Sequence, residues 1–198
     1  MSVVMAIRDS GRVWMAADTQ VSCEGLKFYT VSETNYKISK LPDGILVGFS
    51  GDVRIRNLLV AHSEWFGKLP RSGLTKRFLV TRIVPRLLWL CKENGLLVEE
   101  SQPRAVMEGD FLFAWRDRLF QLQRDFSVWV VAEKGSIGAG GTFSDAALMD
   151  TTQNLTVRER LLGGLRLAAY YSIYVDRPFL LINTEQLEYE LEDTNDYN

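Results

Sequence analysis

The stretch from which the fold can be predicted is the first eighteen residues, MSVVMAIRDSGRVWMAAD (1–18). An uninterrupted apolar run at 3–7 and a second one at 13–17 are separated by charged residues and a Ser10-Gly11 pair. Two short apolar runs joined by such a turn are typical of a β-hairpin. Chain termini are usually polar and frayed. The apolar run directly behind Ser2 therefore predicts that the start of the chain is held in the core.

The rest of the chain alternates strand-like and helix-like segments. Period-two apolar patterns and turn residues predict further strands at KISKL, ILVGFSG, FLFAW, LFQLQ, SVWVVAE and PFLLIN. Apolar residues at helical spacing, with capping signals, predict helices over about 52–67 (Asp52 as N-cap), 75–93 (with Pro85 as a possible kink), 142–149 and 156–175 (Thr156 and Glu159 as a capping box).

This order of elements predicts the fold class. Strands, a pair of helices, strands, a second pair of helices and a last strand favour an α+β protein. We expect a four-layer αββα sandwich in which two antiparallel sheets lie between helical layers. The chain of 198 residues is predicted to form a single domain over 1–198, with a polar linker at about 94–109 and an acidic tail from about 184.

Composition excludes several function classes. The net charge is −2, and Lys and Arg are spread along the chain, so no nucleic-acid partner is expected. No apolar stretch approaches the ~20 residues that cross a bilayer, and the first residues lack the pattern of a signal peptide. Neither a membrane association nor a transmembrane segment is expected.

The few cysteines and the single histidine also limit which metal sites and catalytic mechanisms can be expected. Cys23 and Cys91 are too few for a disulfide framework or a structural zinc site, which favours a reducing cytoplasmic location. His62 is the only histidine and lies on the apolar stripe of a predicted helix. Its isolation argues against Ser-His-Asp catalysis and against histidine-based metal sites. No cofactor is expected.

Four segments carry a resemblance to a known family. VWMAADTQVS (13–22), YKISKL (36–41), GILVGFSGD (44–52) and SIGAGG (136–141) resemble, in order and spacing, the signature stretches of proteasome β-subunits and of the peptidase subunit of the bacterial two-component ATP-dependent protease. These are N-terminal-nucleophile hydrolases of proteasome type. The resemblance covers about 2–180, with about three extra residues between Asp18 and Lys37.

The resemblance implies a catalytic set. In this family the first residue of the mature chain is the nucleophile, and counting back from Asp18 places Ser2 at that position. Lys37 matches the active-site lysine, and Gly51 matches the glycine whose N–H faces the oxyanion. Removal of Met1 would give Ser2 a free α-amine, with a reference pKa of about 7.7–8.0, that can act as general base.

The neighbours of Ser2 have roles under the same resemblance. A cationic Lys37 would favour the neutral amine and the deprotonated oxygen, and Asp18 would balance the ammonium. The Gly51 N–H would stabilise the tetrahedral intermediate, an effect of roughly 3 kcal/mol per donor in other acyl-transfer enzymes. Val21 and Ala139 are implied as substrate-binding residues, and the loop 27–31 as part of the same pocket.

The expected function is hydrolysis of peptide bonds in peptide or unfolded-protein substrates. By resemblance, copies of the chain form a homo-oligomeric ring, with an ATPase unfoldase as a possible partner. Two departures favour an inactive scaffold subunit of the same fold instead. Ala139 lacks a hydroxyl that the family often has in this glycine-rich turn, and Tyr170 stands where the last long helix usually has an Asp. The sequence leaves both functions open.

Overall fold

The computed structural model describes residues 2–23, 26–30, 32–98, 105–143, 145 and 154–193. Its core is built on two five-stranded antiparallel sheets. The first sheet has the order β12-β1-β2-β13-β14, formed by β1 (Val4–Asp9), β2 (Arg12–Asp18), β12 (Lys134–Ile137), β13 (Phe179–Asn183) and β14 (Glu190–Glu192). The second has the order β11-β10-β9-β6-β5, formed by β5 (Ile38–Leu41), β6 (Ile45–Gly51), β9 (Gly109–Trp115), β10 (Arg118–Leu122) and β11 (Val128–Val131).

Shorter elements complete the described chain. Two small hairpins are formed by β3 (Gln20–Cys23) with β4 (Leu26–Tyr29) and by β7 (Leu97–Val98) with β8 (Val106–Met107). The α-helices are α1 (Val53–Ala61), α2 (Lys76–Phe78), α3 (Val84–Glu93) and α4 (Val157–Tyr171). A π-helical turn spans Leu79–Ile83, and 3₁₀ turns span Glu33–Asn35, Pro42–Gly44 and Ser63–Phe66.

Three buried clusters correspond to the three contacts between four layers. One lies between the sheets and joins residues such as Val4, Met15 and Leu112. A second packs α4 on the outer face of the first sheet, with Leu161 and Leu165 against Met5. The third packs α1 and α3 on the second sheet and contains Ile55, Leu59, Leu87, Phe111 and Phe113. The predicted αββα sandwich is confirmed.

The opening hairpin is confirmed as well. Strand β1 pairs with β2 from Val4↔Ala17 to Asp9↔Arg12. The turn residues Ser10 and Gly11 both have positive φ, 49° and 81°. A two-residue loop with positive φ at both positions matches the right-handed twist of the strands, and glycine adopts it without steric cost. The start of the chain is buried, since Val3, Val4 and Met5 have no exposed surface.

The predicted helix over 75–93 differs in its middle. Thr75 caps it, accepting a hydrogen bond from the Phe78 N–H at 3.1 Å, but the helix widens into the π-helical turn Leu79–Ile83 before α3 begins. Pro85 lies in the first turn of α3. Proline has no N–H to donate to a carbonyl of the preceding turn, so the regular α-helical hydrogen-bond pattern is interrupted here.

Other boundaries also differ from expectation. Helix α4 keeps the predicted Thr156–Glu159 capping box but ends at Tyr171 rather than near 175. Strands β12 and β14 were not predicted, and β14 lies within the predicted acidic tail, pairing with β13. The linker predicted at 94–109 contains β7 and β8. The helix predicted from Thr142 and Ser144 to Met149 falls mostly outside the described residues. Within the described ranges, no helix is long and apolar enough to span a membrane.

Candidate active site

Ser2 is fixed by hydrogen bonds on both sides of its peptide unit. The N–H of Val3 donates to Asp18 Oδ1 at 2.9 Å, and the Ser2 carbonyl accepts from the Gly140 N–H at 3.4 Å. Only 6% of the Ser2 surface is exposed. Met1 lies outside the described residues. The hairpin and the glycine-rich turn therefore hold Ser2 in one position.

Asp18 and Lys37 form a buried ion pair next to this segment. Lys37 Nζ donates to Asp18 Oδ2 at 2.6 Å and also to the carbonyl of Gln20. The Asp18 side chain has no exposed surface, and 10% of the Lys37 side chain is exposed. The Lys37 backbone is held by the second sheet, because its carbonyl accepts from the Phe49 N–H at 2.9 Å. Asp18 thus connects the backbone next to Ser2 to the ammonium.

Burial changes the protonation of both groups. Loss of water lowers the pKa of the Lys37 ammonium, and the charge and hydrogen bond of Asp18 oppose that shift. Burial likewise raises the pKa of Asp18, against the charge and hydrogen bonds of Lys37 and the Val3 N–H. Each charge is stable here only because the other is present.

Gly51, at the end of β6, has a conformation that only glycine fits. Its φ is +146°, and a Cβ at this position would lie 2.1 Å from the Glu108 carbonyl oxygen. That same oxygen accepts from the Asp52 N–H at 2.7 Å, just before α1 begins. The close approach of β6 to the residue before β9 therefore fixes the backbone at Gly51.

One cavity brings three of the predicted catalytic residues together. It has a volume of about 370 Å³, and Ser2, Lys37 and Gly51 line it together with the predicted substrate-binding residue Val21. Asp18 lies behind Lys37. The other lining residues are mostly apolar or aromatic and come from hairpin β3–β4, the segment before β5, and the ends of β6 and α1: Phe28, Tyr29, Thr30, Ser32, Asn35, Tyr36, Phe49, Val53 and Arg56.

Ala139 lies outside this cavity. It borders a second cavity of about 720 Å³, together with Ser50, Gly51 and Gly138. The two predicted substrate-binding residues are therefore on different cavities that share Gly51. Within the described ranges, no three His, Cys, Asp or Glu residues are grouped so that they could hold a metal ion.

Sequence reasoning missed Ser50. Its Oγ lies 3.0 Å from Ser2 Oγ, and only 6% of the residue is exposed. Gly138, with φ +93°, packs against both serines: a Cβ there would lie 2.2 Å from the Ser2 carbonyl oxygen and 2.5 Å from Ser50 Oγ. The sequence shows a hydroxyl next to Gly51 in the FSGD stretch. It does not show that this hydroxyl contacts Ser2, which lies 48 residues away in the sequence.

Tyr170, at the end of α4, and Asp176, just after it, contact residues other than Ser2. Tyr170 is 74% exposed and packs edge-on against Tyr171. Asp176 accepts from the Tyr29 hydroxyl at 2.9 Å and contacts Lys27 Nζ at 3.6 Å. Asp176 therefore ties the β3–β4 hairpin, which lines the first cavity, to the segment that follows α4.

The single histidine has partners within its own segment, and two of the tryptophans are exposed. His62 stacks on Trp65 with ring centroids 4.7 Å apart, and its Nδ1 lies 3.1 Å from Glu64 Oε1. Both partners lie within three residues of it in the sequence. Trp89 and Trp129 are more than half exposed.

No protein-family model matches the chain, and no curated protein matches it. Solved structures do match. Thiobacillus denitrificans BPH in complex with epoxomicin is 21% identical, with a TM-score of 0.72 over 94% of this chain and 99% of that one. HslV from Trypanosoma brucei is 15% identical, with a TM-score of 0.67 over 91% and 98%. Anbu, an ancestral beta-subunit, from Yersinia bercovieri is 11% identical, with a TM-score of 0.71 over 98% and 88%. The chain therefore has the fold of the proteasome-type N-terminal-nucleophile hydrolases.

Proposed function

We propose that this protein is a peptidase that hydrolyses peptide bonds through an acyl-enzyme on Ser2, once Met1 has been removed. The observation that carries the proposal is the buried Lys37–Asp18 ion pair on the cavity that Ser2 and Gly51 also line. Desolvating two charges costs several kcal/mol per ion. A scaffold subunit has no physical need for this pair beside its first residues, whereas a nucleophile and a neutral amine do.

The chemistry uses groups of this chain alone. Ser2 Oγ attacks the carbonyl carbon of the substrate, a C–O bond forms, and the hydroxyl proton passes to the Ser2 α-amine directly or through one water. The Gly51 N–H donates to the oxyanion of the tetrahedral intermediate. The C–N bond then breaks, and the leaving amine takes the proton.

Hydrolysis of the ester completes the cycle. Water attacks the acyl carbon and gives its proton to the α-amine. The C–O bond to Ser2 then breaks, the carboxylic acid is released, and the proton passes from the amine to Ser2 Oγ. The Lys37 ammonium favours the neutral form of the amine throughout, because two neighbouring cations repel. Asp18 keeps Lys37 charged.

The apolar walls of the first cavity support peptide or unfolded-protein substrates with an apolar side chain at the bond that is cut. Val21, Phe28 and Phe49 contribute to these walls. Val21 is accordingly proposed as a substrate-binding residue, whereas Ala139, on the second cavity, is proposed to contact the substrate beyond the cut bond. A homo-oligomeric ring, an ATPase unfoldase partner and a cytoplasmic location belong to the same proposal.

The second candidate function is an inactive scaffold subunit. It is favoured by Ala139, which has no hydroxyl in the turn against Ser2, and by Tyr170, which is exposed where an acidic group was expected. The two candidates differ in one measurable property, the reactivity of Ser2.

The deciding experiment measures intact mass and hydrolysis of a fluorogenic peptide on the same samples. We expect wild type to have lost the mass of one methionine residue and to turn over the peptide. Ser2→Ala should abolish turnover, and Ser63→Ala, on the 3₁₀ turn after α1, should leave it unchanged. Epoxomicin, bound in the T. denitrificans BPH structure, should reduce turnover by wild type.

Two results contradict the peptidase. Equal turnover by wild type and Ser2→Ala rules out Ser2 as nucleophile. A fully processed chain that hydrolyses no peptide, alone or with a supplied unfoldase, favours the scaffold function instead.

A further inference from the structure

We propose that Ser50 is a positioning residue for the nucleophile: its hydroxyl donates a hydrogen bond to Ser2 Oγ and sets the direction in which Ser2 releases its proton. This inference rests on the proposed function of Ser2. It concerns a contact that the sequence analysis did not foresee, between two hydroxyls 3.0 Å apart.

Both partners are rigidly held, so the contact is built into the fold. Ser50 is the sixth of seven residues of β6, a strand that has a neighbour on each side and pairs Ser50 with Asp110 of β9. Ser2 is held by the Val3–Asp18 hydrogen bond. Each serine is 94% buried, and water therefore competes little for either hydroxyl.

Gly138 closes the remaining side of the pair. The ideal Cβ position at Gly138 is 2.5 Å from Ser50 Oγ and 2.2 Å from the Ser2 carbonyl oxygen, so a side chain there would displace one serine or the other. Ser50 borders the second cavity and Ser2 the first. The hydrogen bond thus joins residues that border different cavities, and the neighbouring Ala139 contributes no hydroxyl.

The chemistry selects the donor. Each hydroxyl has one proton, and Ser2 must give its own proton to the α-amine during attack. If the Ser2 O–H donated a hydrogen bond to Ser50, Ser50 would compete with the amine for the Ser2 proton. If Ser50 donates, the Ser2 O–H is free to point at the amine. The same bond then stabilises the negative charge that develops on Ser2 Oγ, as hydrogen bonding to a charged form does.

The test compares Ser50→Ala with the matched variant Ser136→Ala. Ser136, on β12, donates to the Gly141 carbonyl at 3.0 Å, at the far end of the same glycine-rich turn. Ser136→Ala therefore loses one hydrogen bond of this turn without touching Ser2. For Ser50→Ala we expect kcat to fall about tenfold with KM within twofold of wild type, the loss of one hydrogen bond. Ser136→Ala should keep both constants.

A second readout separates this inference from the proposed function. Each variant is treated with p-nitrophenyl acetate, and acylation of the Ser2 peptide is followed by mass spectrometry, with hydroxylamine to distinguish the ester from an amide. Ser2 should form the ester about tenfold more slowly in Ser50→Ala. This reading does not need peptide turnover, so it applies even if the chain hydrolyses no peptide.

The outcomes are distinct. Normal peptide turnover by Ser50→Ala, with ester formation as in wild type, overturns the role of Ser50 and leaves the peptidase standing. Equal losses in Ser50→Ala and Ser136→Ala overturn it too, because the turn alone would then explain the effect. Absence of any ester on Ser2 in wild type overturns the inference together with the peptidase.

Discussion

Asp18 binds Lys37 and the backbone next to Ser2 with different oxygens of one carboxylate: Oδ2 accepts from Lys37 Nζ at 2.6 Å and Oδ1 from the Val3 N–H at 2.9 Å. The carboxylate is fully buried. The same group therefore sets the distance between the cation and the backbone just before β1, and removal of either partner should affect stability.

Asp18→Asn should lower the free energy of unfolding by about 3–5 kcal/mol, because it leaves the buried Lys37 ammonium without its counter-charge. The double variant Asp18→Asn/Lys37→Met removes both charges and should recover most of this loss, but no peptidase activity. Urea denaturation of wild type, both single variants and the double variant gives the coupling energy. Strict additivity of the two single effects would contradict the ion pair.

Gly51→Ala should destabilise the protein by about 3 kcal/mol, because the new Cβ would lie 2.1 Å from the Glu108 carbonyl oxygen at a φ of +146°. Gly163, inside α4, is the matched control: no atom lies within 4 Å of a Cβ there. Gly163→Ala should stabilise by about 0.5–1 kcal/mol through its helix propensity. Thermal melts of the two variants provide the comparison, and equal melting temperatures would refute the close contact at Gly51.

Arg56 is expected to hold the segment that carries Lys37. Its guanidinium donates to the carbonyls of Thr34 and Tyr36 and to Ser39 Oγ at 2.7–2.8 Å, and the residue is 6% exposed. Arg56→Met leaves these acceptors without a buried donor and should cost about 2–3 kcal/mol of stability.

The control for Arg56 is its neighbour on α1. Arg54 is exposed, and Arg54→Met should change the free energy of unfolding by less than about 0.5 kcal/mol. The urea denaturation midpoints of the two variants give this comparison of stability. If Arg54→Met costs as much as Arg56→Met, the effect reflects α1 as a whole rather than the bonds to the Lys37 segment.

Cys91 should be inert to alkylation in the folded protein. Burial raises the pKa of its thiol to about 11, so at pH 8 almost none of it is thiolate. In the unfolded chain the pKa returns to near 8.5, and reactivity at pH 8 should rise steeply. Peptide mapping after iodoacetamide treatment, with and without denaturant, measures the alkylation of Cys91 separately from that of Cys23. Rapid native labelling of Cys91 would contradict its burial.

Much of the fold followed from local sequence. The hairpin 3–17, the Asp52 cap and the Thr156–Glu159 capping box depend on residues a few positions apart, and all three are present. The proximity of Ser2, Lys37 and Gly51 was carried by the family resemblance, because their separations along the chain have no period that would place them on one face.

What escaped prediction consists of short elements and of contacts with distant partners. Strands β12 and β14 have only four and three residues, too few for period-two patterning to detect. Strand β12 also pairs with β1, which is far away in the sequence. In the sequence Ser50 is an ordinary strand serine, and only the folded structure shows its contact with Ser2. The π-helical turn before Pro85 was also not predicted, because the sequence marked this proline only as a possible kink.

The pairing of β1 with β12, from Val4↔Ile137 to Ile7↔Lys134, has a consequence for the order of events in synthesis. The ribosome makes the first residues of β1 long before residues 134–137 exist, an interval on the order of 10 s at ordinary elongation rates. The sheet that encloses Ser2 cannot close during that time. The removal of Met1 that we propose can therefore take place on the nascent chain, while translation is still under way.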